Sequence, residues 1–235
     1  ISYNFVKEYD TYYPGTDIIL DFYERNLENN AKNRKLYNIT NRDSIEDVLD
    51  KLNNLEDIWC ILEERFKEYH NKEQIVFTIV DRVVDKLIFD ILTVNIDDHT
   101  ENWGILDDIE EGKMLSPQFD NARILNLHRN ILVEKFASSQ KLHDKELYLT
   151  VDNSKNKKPL DVLKHFLDIS SSEYRDRVID KVVKLQEKIE VIPNIIEERT
   201  YHPMPKYLKG YFITTMNDHL QKVNEVIYDT KGKNK

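Results

Sequence analysis

The spacing of apolar residues along the chain predicts a mainly helical protein. The strongest pattern runs from Glu73 to about Thr93, where apolar residues occupy more than one face of the predicted helix. Such a helix is typically central and buried. Its apolar residues are Ile75, Val76, Ile79, Val80, Val83, Val84, Leu87, Ile88, Ile91 and Leu92.

The ends of several other predicted helices carry recognisable signals. Thr16 is predicted to cap a helix over 17–23, which has an acid in its first turn. Ser44, with an acid three residues later, predicts a capping box and a helix to about Asn53. The remaining helices are expected at about 55–69, 159–169, 171–190 and 206–228, with prolines at 193, 203 and 205 punctuating the last two.

Strands are expected to be few and short. Residues 103–106 and 113–115 predict a small β-hairpin joined through 107–112. Residues 2–6 are expected to be extended, and Tyr13-Pro14-Gly15 predicts a turn. The mixed segment 122–157 predicts loop with short helices, and 231–235 predicts a disordered tail.

The composition favours a helical protein and argues against a nucleic-acid-binding or membrane-spanning one. Of the 235 residues 33% are charged, and there are only 5 Gly and 6 Pro, which favours helices. The net charge of −9 argues against non-specific nucleic-acid binding, which requires Lys and Arg to neutralise phosphates. It does suit a site that collects Mg²⁺. No apolar run reaches the roughly 20 residues that a membrane span needs.

The single cysteine, Cys60, allows no internal disulfide bond and no cysteine-based metal cluster. This predicts a reducing, cytoplasmic location. Cys60 lies between Trp59 and Ile61 in a predicted helix, and we expect it to pack in the core.

The candidate chemistry lies just after the long apolar helix. Asp97 is followed five residues later by Asn102, and Asp120 comes eighteen residues after Asn102, beyond the predicted hairpin. Phosphotransferases use one acid to orient or deprotonate the attacking hydroxyl, and an amide and a second acid to hold Mg²⁺ against the phosphates of ATP. Asp97 fits the first acid, and Asn102 and Asp120 fit the two oxygen ligands. His99 joins Asp97 in the predicted catalytic segment, where we expect it to hold the loop by hydrogen bonds.

The segment Asn-x-Asp-x-His-x-x-Asn from Asn95 to Asn102, followed by Leu-x-Pro-x-Phe-Asp from Leu115 to Asp120, resembles the HipA-like kinases, whose founding members are bacterial persistence toxins. The resemblance extends to about residue 225, although it is specific only at 95–106 and 115–121. It implies a protein-kinase-like carboxyl-terminal lobe over 1–230, an ATP- and Mg²⁺-dependent transfer to a Ser or Thr hydroxyl, and an antitoxin-like partner. It makes Asp97 the catalytic base and Asn102 and Asp120 the Mg²⁺ ligands.

The chain also departs from that family. Its glycines, at 15, 104, 112, 210 and 232, form no Gly-rich loop, and no lysine has an evident phosphate-binding context. The amino-terminal nucleotide-binding lobe is therefore expected to be missing, which fits a chain that begins at Ile1. We expect the chain alone to be weakly active or inactive.

Three other interpretations remain open. An Asn/Asp-rich turn between a helix and a hairpin would explain the motif without any chemistry. A small-molecule kinase acting on an amino alcohol would suit the acidic surface. A non-catalytic module would dock a partner protein. An aromatic cluster (Tyr3, Phe5, Tyr9, Tyr12 and Tyr13) is expected either to pack internally or to cover the interface with the missing lobe.

Overall fold

Helices form most of the described chain, which confirms the mainly α prediction. The computed structural model describes residues 11–93, 100–108, 112–115, 158–200 and 203–232. The helices, numbered in chain order over those residues, are α1 (Gly15–Asn26), α2 (Ala31–Leu36), α3 (Ile45–Leu52), α4 (Leu55–Arg65), α5 (Lys72–Thr93), α6 (Pro159–Ile169), α7 (Ser172–Gln186), α8 (Ile192–Thr200) and α9 (Lys206–Gly232).

A three-stranded antiparallel sheet accompanies the helices, with strands β1 (Thr11–Pro14), β2 (Gly104–Asp108) and β3 (Gly112–Leu115) in the order β1-β2-β3. Strands β2 and β3 confirm the predicted hairpin. Strand β1 was not predicted, because its pairing partner is distant: Thr11 lies opposite Asp107, and no local pattern indicates such a contact. In place of the expected turn, β1 leads directly into α1.

Helix α5 has the buried character that its sequence predicts. Each of its ten apolar residues named above is at most 9% exposed. Three polar residues of the same helix, Lys86, Asp90 and Thr93, are also buried. None of the helices in the described ranges is long and apolar enough to cross a membrane.

The predicted helix starts were right in one case and wrong in another. At α3 the Ser44 hydroxyl accepts from the Asp47 backbone N–H, and the Asp47 carboxylate accepts from the Ser44 N–H, as in the predicted capping box. The prediction for Thr16 is wrong, because α1 already begins at Gly15 and Pro14 occupies the position before it. Thr16 therefore lies inside the first turn, where its side chain has a different partner.

Two short helices and one side-chain environment were not predicted correctly. Helix α2 has no buried residue, so it lacks the apolar periodicity that reveals a helix. Helix α8 contains Pro193 in its first turn, where proline is tolerated because the N–H would have no helical partner. Cys60 is exposed, not in the core, because α4 buries Ile58, Ile61 and Leu62 and turns Cys60 outward.

The described residues fall into two compact units. The first comprises 11–87, 100–108 and 112–115, and the second comprises 88–93, 158–200 and 203–232. Helix α5 contributes residues to both. In the second unit α9 packs against α6, α7 and α8, and its helix extends to Gly232, beyond the start of the tail expected at 231. The predictions for 2–6, 122–157 and 233–235 lie outside the described residues.

Candidate functional site

Of the four residues predicted to form the phosphotransferase site, the structure describes one. Asn102 lies in a described segment, whereas Asp97, His99 and Asp120 lie outside the described residues. The distances among the four are therefore not part of the described structure.

Asn102 is the last residue of a short 3-10 turn, Thr100–Asn102, and β2 begins two residues later at Gly104. The residue is only 4% exposed, and Thr100 and Trp103 beside it are 7% and 5% exposed. An amide at this place is held by backbone structure on both sides. The turn and the strand therefore fix the backbone of Asn102, from which its side chain extends.

The amino-terminal end of α1 anchors this turn. The Gly15 backbone N–H donates to the Trp103 carbonyl over 2.8 Å, and the Thr16 hydroxyl donates to the Thr100 hydroxyl over 2.9 Å. These two contacts bracket Asn102 from either side in the sequence. The role of Thr16 is thus to tie α1 to the turn that carries Asn102.

Two glycines permit the close approach of these segments. A Cβ atom on Gly15 would lie 2.4 Å from Cε2 of Trp103 and 2.7 Å from the Thr100 carbonyl oxygen. A Cβ atom on Gly104 would lie 2.4 Å from the Tyr12 ring and 2.5 Å from the Tyr13 carbonyl oxygen. Nonbonded atoms at these distances would clash, so both positions require glycine, which has no Cβ atom.

The two described members of the aromatic cluster pack within the first unit. The Tyr12 hydroxyl donates to the Trp103 carbonyl over 3.4 Å, and burial, aided by the Asp17 carboxylate, raises the pKa of Tyr12 to about 12. Tyr12 therefore remains a protonated donor at neutral pH. The Tyr13 ring lies 4.7 Å from the guanidinium carbon of Arg65, a cation–π contact.

A groove of about 550 Å³ lies beside the sheet, between α1 and the end of α4, and Tyr13, Ile105 and Asp107 contribute to its lining. Its charged groups are largely occupied with one another. Asp21 lies 2.7 Å from the Arg25 guanidinium and 3.5 Å from that of Arg65. These pairings leave little unmatched charge in the groove for a reacting group.

The residues present are compatible with a magnesium site only in part. No group of three His, Cys, Asp or Glu side chains in the described segments is arranged to hold a metal ion. The amide oxygen of Asn102 is a hard donor of the type that Mg²⁺ prefers, and its backbone is fixed. The second predicted ligand, Asp120, lies outside the described ranges, as does Asp97, the predicted base.

The sequence analysis did not indicate the buried contact that His219 makes. His219 of α9 is 3% exposed, and its Nδ1 lies 3.0 Å from the Leu92 carbonyl oxygen in the last turn of α5. A carbonyl can only accept, so Nδ1 carries the proton. The two residues are 127 positions apart, and no spacing in the sequence indicates their contact.

Comparison of the chain with protein-family models, with curated proteins and with solved structures gave no match. The resemblance to the HipA-like kinases therefore rests on the residues of the motif alone.

Proposed function

We propose that this chain is the carboxyl-terminal lobe of an ATP- and Mg²⁺-dependent, HipA-like Ser/Thr protein kinase. The chain would supply the acceptor and metal-binding side of the site. A nucleotide-gripping element would come from outside the sequence given, and an antitoxin-like protein is the partner that the family resemblance suggests.

In this proposal each motif residue has a separate role. The acceptor hydroxyl oxygen attacks the γ-phosphorus of ATP, its proton passes to the Asp97 carboxylate, and the bond to ADP breaks. Asn102 and Asp120 would hold Mg²⁺, which when bound neutralises charge on the phosphates. His99 would keep the Asp97 loop in place by hydrogen bonds.

The observation that carries the proposal is the position of Asn102. The predicted amide ligand is buried at the entrance to an antiparallel hairpin, and β3 of that hairpin ends at Leu115, five residues before Asp120. A short hairpin returns the chain close to its starting point, which is how two ligands separated by eighteen residues can face one ion.

The test uses γ-labelled ATP with Mg²⁺ and a protein acceptor mixture. It is run on the chain as given and on the chain extended by whatever its gene encodes upstream of Ile1. Asp97→Ala should lower transfer by about 10²-fold or more, the usual contribution of a positioned acid or base, and leave nucleotide affinity within about twofold. Asp50→Ala, which removes an exposed acid from α3, is the matched control and should retain wild-type transfer.

Asp120→Ala should act differently from Asp97→Ala, by weakening Mg²⁺-dependent nucleotide binding about tenfold or more. The chain has 2 Trp, so a Trp59→Phe background leaves Trp103, next to Asn102, as the only indole to report binding. Equal nucleotide affinity with and without the Asp120 carboxylate would refute the ligand assignment.

The transfer assay also separates the alternative functions. Transfer of label to an amino alcohol and not to protein would favour the small-molecule kinase. If neither the given chain nor the extended chain transfers label to any acceptor, the non-catalytic docking module is favoured.

A further inference from the structure

A second groove, of about 570 Å³, lies within the second compact unit, along α9 and beside the end of α7. We call it the α9 groove. Among the described residues that line it, four carry side-chain amides: Asn217, Gln221 and Asn224 of α9, and Gln186 at the end of α7. The three amides of α9 are four and three residues apart, so they form a stripe on one face of the helix. Leu220, which is 1% exposed, adds an apolar surface.

The amides of the α9 groove are available to a ligand. Within the described part of the chain, the side chains of Asn217, Asn224 and Gln186 have no hydrogen-bond partner. Gln221 uses one N–H on the Glu225 carboxylate, over 3.2 Å. Asparagine is one of the poorer helix formers, so helix stability alone would favour other polar residues on this face. A side-chain amide both donates and accepts hydrogen bonds, as a peptide unit does, so such a stripe suits a peptide main chain.

The charges at the carboxyl-terminal end of the groove suit arginine. The charged residues in its described lining are both acids, Glu225 and Asp229, and they lie one turn apart on α9. Asp229 lies 3.5 Å from the Lys164 ammonium, but its side chain is 70% exposed, so water screens this pair. Tyr228, between the two acids in sequence, is 59% exposed. A guanidinium can pair with a carboxylate and stack on a tyrosine ring, so one arginine side chain can use both kinds of group.

The length of the stripe matches a short extended peptide. From Asn217 to Tyr228 the helix rises about 17 Å, the length of about five extended residues. The rise from Asn217 to Gln221 is about 6 Å. This is close to the ~6.7 Å that separates alternate residues of an extended chain, whose main-chain groups point to the same side. Successive amides of α9 can therefore meet successive main-chain groups of such a peptide.

We propose that the α9 groove binds an extended, arginine-containing segment of a partner protein. The amide stripe hydrogen-bonds to the main chain of the segment, and Glu225, Tyr228 and Asp229 bind its arginine side chains. All of these groups lie on one helix of one compact unit. The proposal does not depend on the kinase function and stands or falls separately from it.

The first experiment measures peptide binding to the chain by fluorescence anisotropy. The probe is a labelled six-residue peptide of alternating Ala and Arg, blocked at both ends, which places its arginines on one side when it is extended. It should bind with a dissociation constant below about 1 mM. Methylation of alternate main-chain nitrogens keeps the charge and removes N–H donors, and should weaken binding about fivefold or more. Spermidine, a cation without peptide groups, and the corresponding Ala-Glu peptide should bind more weakly still.

The second experiment separates the amide stripe from general effects on α9. Asn217→Ala with Asn224→Ala should weaken binding of the Ala-Arg peptide about tenfold or more, because each lost hydrogen bond usually costs a few-fold in affinity. Both positions are on the surface of a helix, where alanine is well tolerated, and circular dichroism checks the fold. Thr214→Ala, at an exposed position of α9 outside the groove, is the control and should leave affinity within about twofold.

A third comparison tests the acids with the total charge held equal. Glu225→Gln and Asp229→Asn should each weaken binding about threefold. Asp218→Asn removes the same charge from an exposed position of α9 outside the groove and should have less than half that effect. The proposal is overturned if the Ala-Arg peptide does not bind below about 1 mM. Equal binding of spermidine or of the methylated peptide, or equal affinity of the groove variants and their controls, would also overturn it.

Discussion

At the scale of single residues, Gly15 is packed tightly against the turn that carries Asn102. A methyl group there would meet the Trp103 ring at 2.4 Å and the Thr100 carbonyl oxygen at 2.7 Å. The oxygen belongs to the backbone of the turn that carries Asn102, so it cannot rotate away as a side chain could. We expect Gly15→Ala to lower the free energy of unfolding by about 1–3 kcal/mol, the usual cost of overpacking.

The measurement for Gly15→Ala is urea unfolding of the purified chain, with Gly210→Ala as the control. Gly210 lies within α9, and a Cβ atom there would meet nothing within 4 Å. Alanine at that position should raise the free energy of unfolding by about 0.5–1 kcal/mol, because glycine is a poor helix former. Equal stability of Gly15→Ala and wild type would mean that α1 and the Asn102 turn do not pack as described.

At the scale of elements, the start of α4 predicts a pH dependence of stability. Asn54 accepts from the Asp57 backbone N–H over 2.9 Å and donates its amide to the Asp57 carboxylate over 2.6 Å. Burial nevertheless raises the pKa of Asp57 to about 6, against the lowering effect of Asn54. An unfolded aspartate has a pKa of about 3.9, so between about pH 4 and 6 the folded chain retains a proton that the unfolded chain has released.

The sign of this effect follows from proton linkage. Where the folded state binds more protons, the free energy of unfolding falls as pH rises, so the contribution of Asp57 is present below about pH 4 and lost by about pH 6. Asp57→Asn removes the ionisation, and its stability relative to wild type should therefore increase across this window. Thermal unfolding at several pH values measures this, with Glu46→Gln at the exposed start of α3 as a control for the loss of a first-turn carboxylate. A flat or falling difference would contradict the assignment.

The elements that the sequence predicted are those with local signals. The apolar pattern of α5, the Ser44 capping box and the hairpin after Trp103 all depend on residues within a few positions of one another. Helix α2 escaped prediction because it buries nothing, and β1 because its partner strand is distant in sequence. Thr16 was misassigned for the same reason, since its hydroxyl is used by Thr100, 84 residues away.

For the candidate site too, the sequence predicted the local motif but not the contacts between residues distant in sequence. The spacing of Asp97, Asn102 and Asp120 is a local signal and suffices to suggest a chemistry. The contacts made by the neighbouring described residues are not local: the Gly15 N–H of α1 donates to the Trp103 carbonyl, and His219 contacts the Leu92 carbonyl from 127 positions away. Supporting contacts of this kind depend on the completed fold, so no motif could have indicated them.

At the scale of the whole molecule, the positions of the glycines bear on the proposed nucleotide binding. All 5 lie in regular elements: Gly15 in α1, Gly104 in β2, Gly112 in β3, and the remaining two, 210 and 232, in α9. Gly15 and Gly104 are also needed for close packing against Trp103 and Tyr12. None is therefore available for a flexible glycine-rich loop of the kind that covers nucleotide phosphates in kinases.

The lack of a glycine free to form such a loop predicts weak nucleotide binding by the chain as given. If the chain supplies the proposed metal and acceptor groups but no phosphate-covering loop, it gains only part of the binding energy, so the dissociation constant for Mg²⁺–ATP should exceed about 1 mM, the upper end of ordinary KM values. Titration calorimetry of the chain with Mg²⁺–ATP measures it directly. Asp120→Ala should bind still more weakly, because whatever affinity remains depends on the metal. Micromolar affinity with ordinary turnover would mean that this chain binds the ATP phosphates without a glycine-rich loop. It would then be a complete kinase.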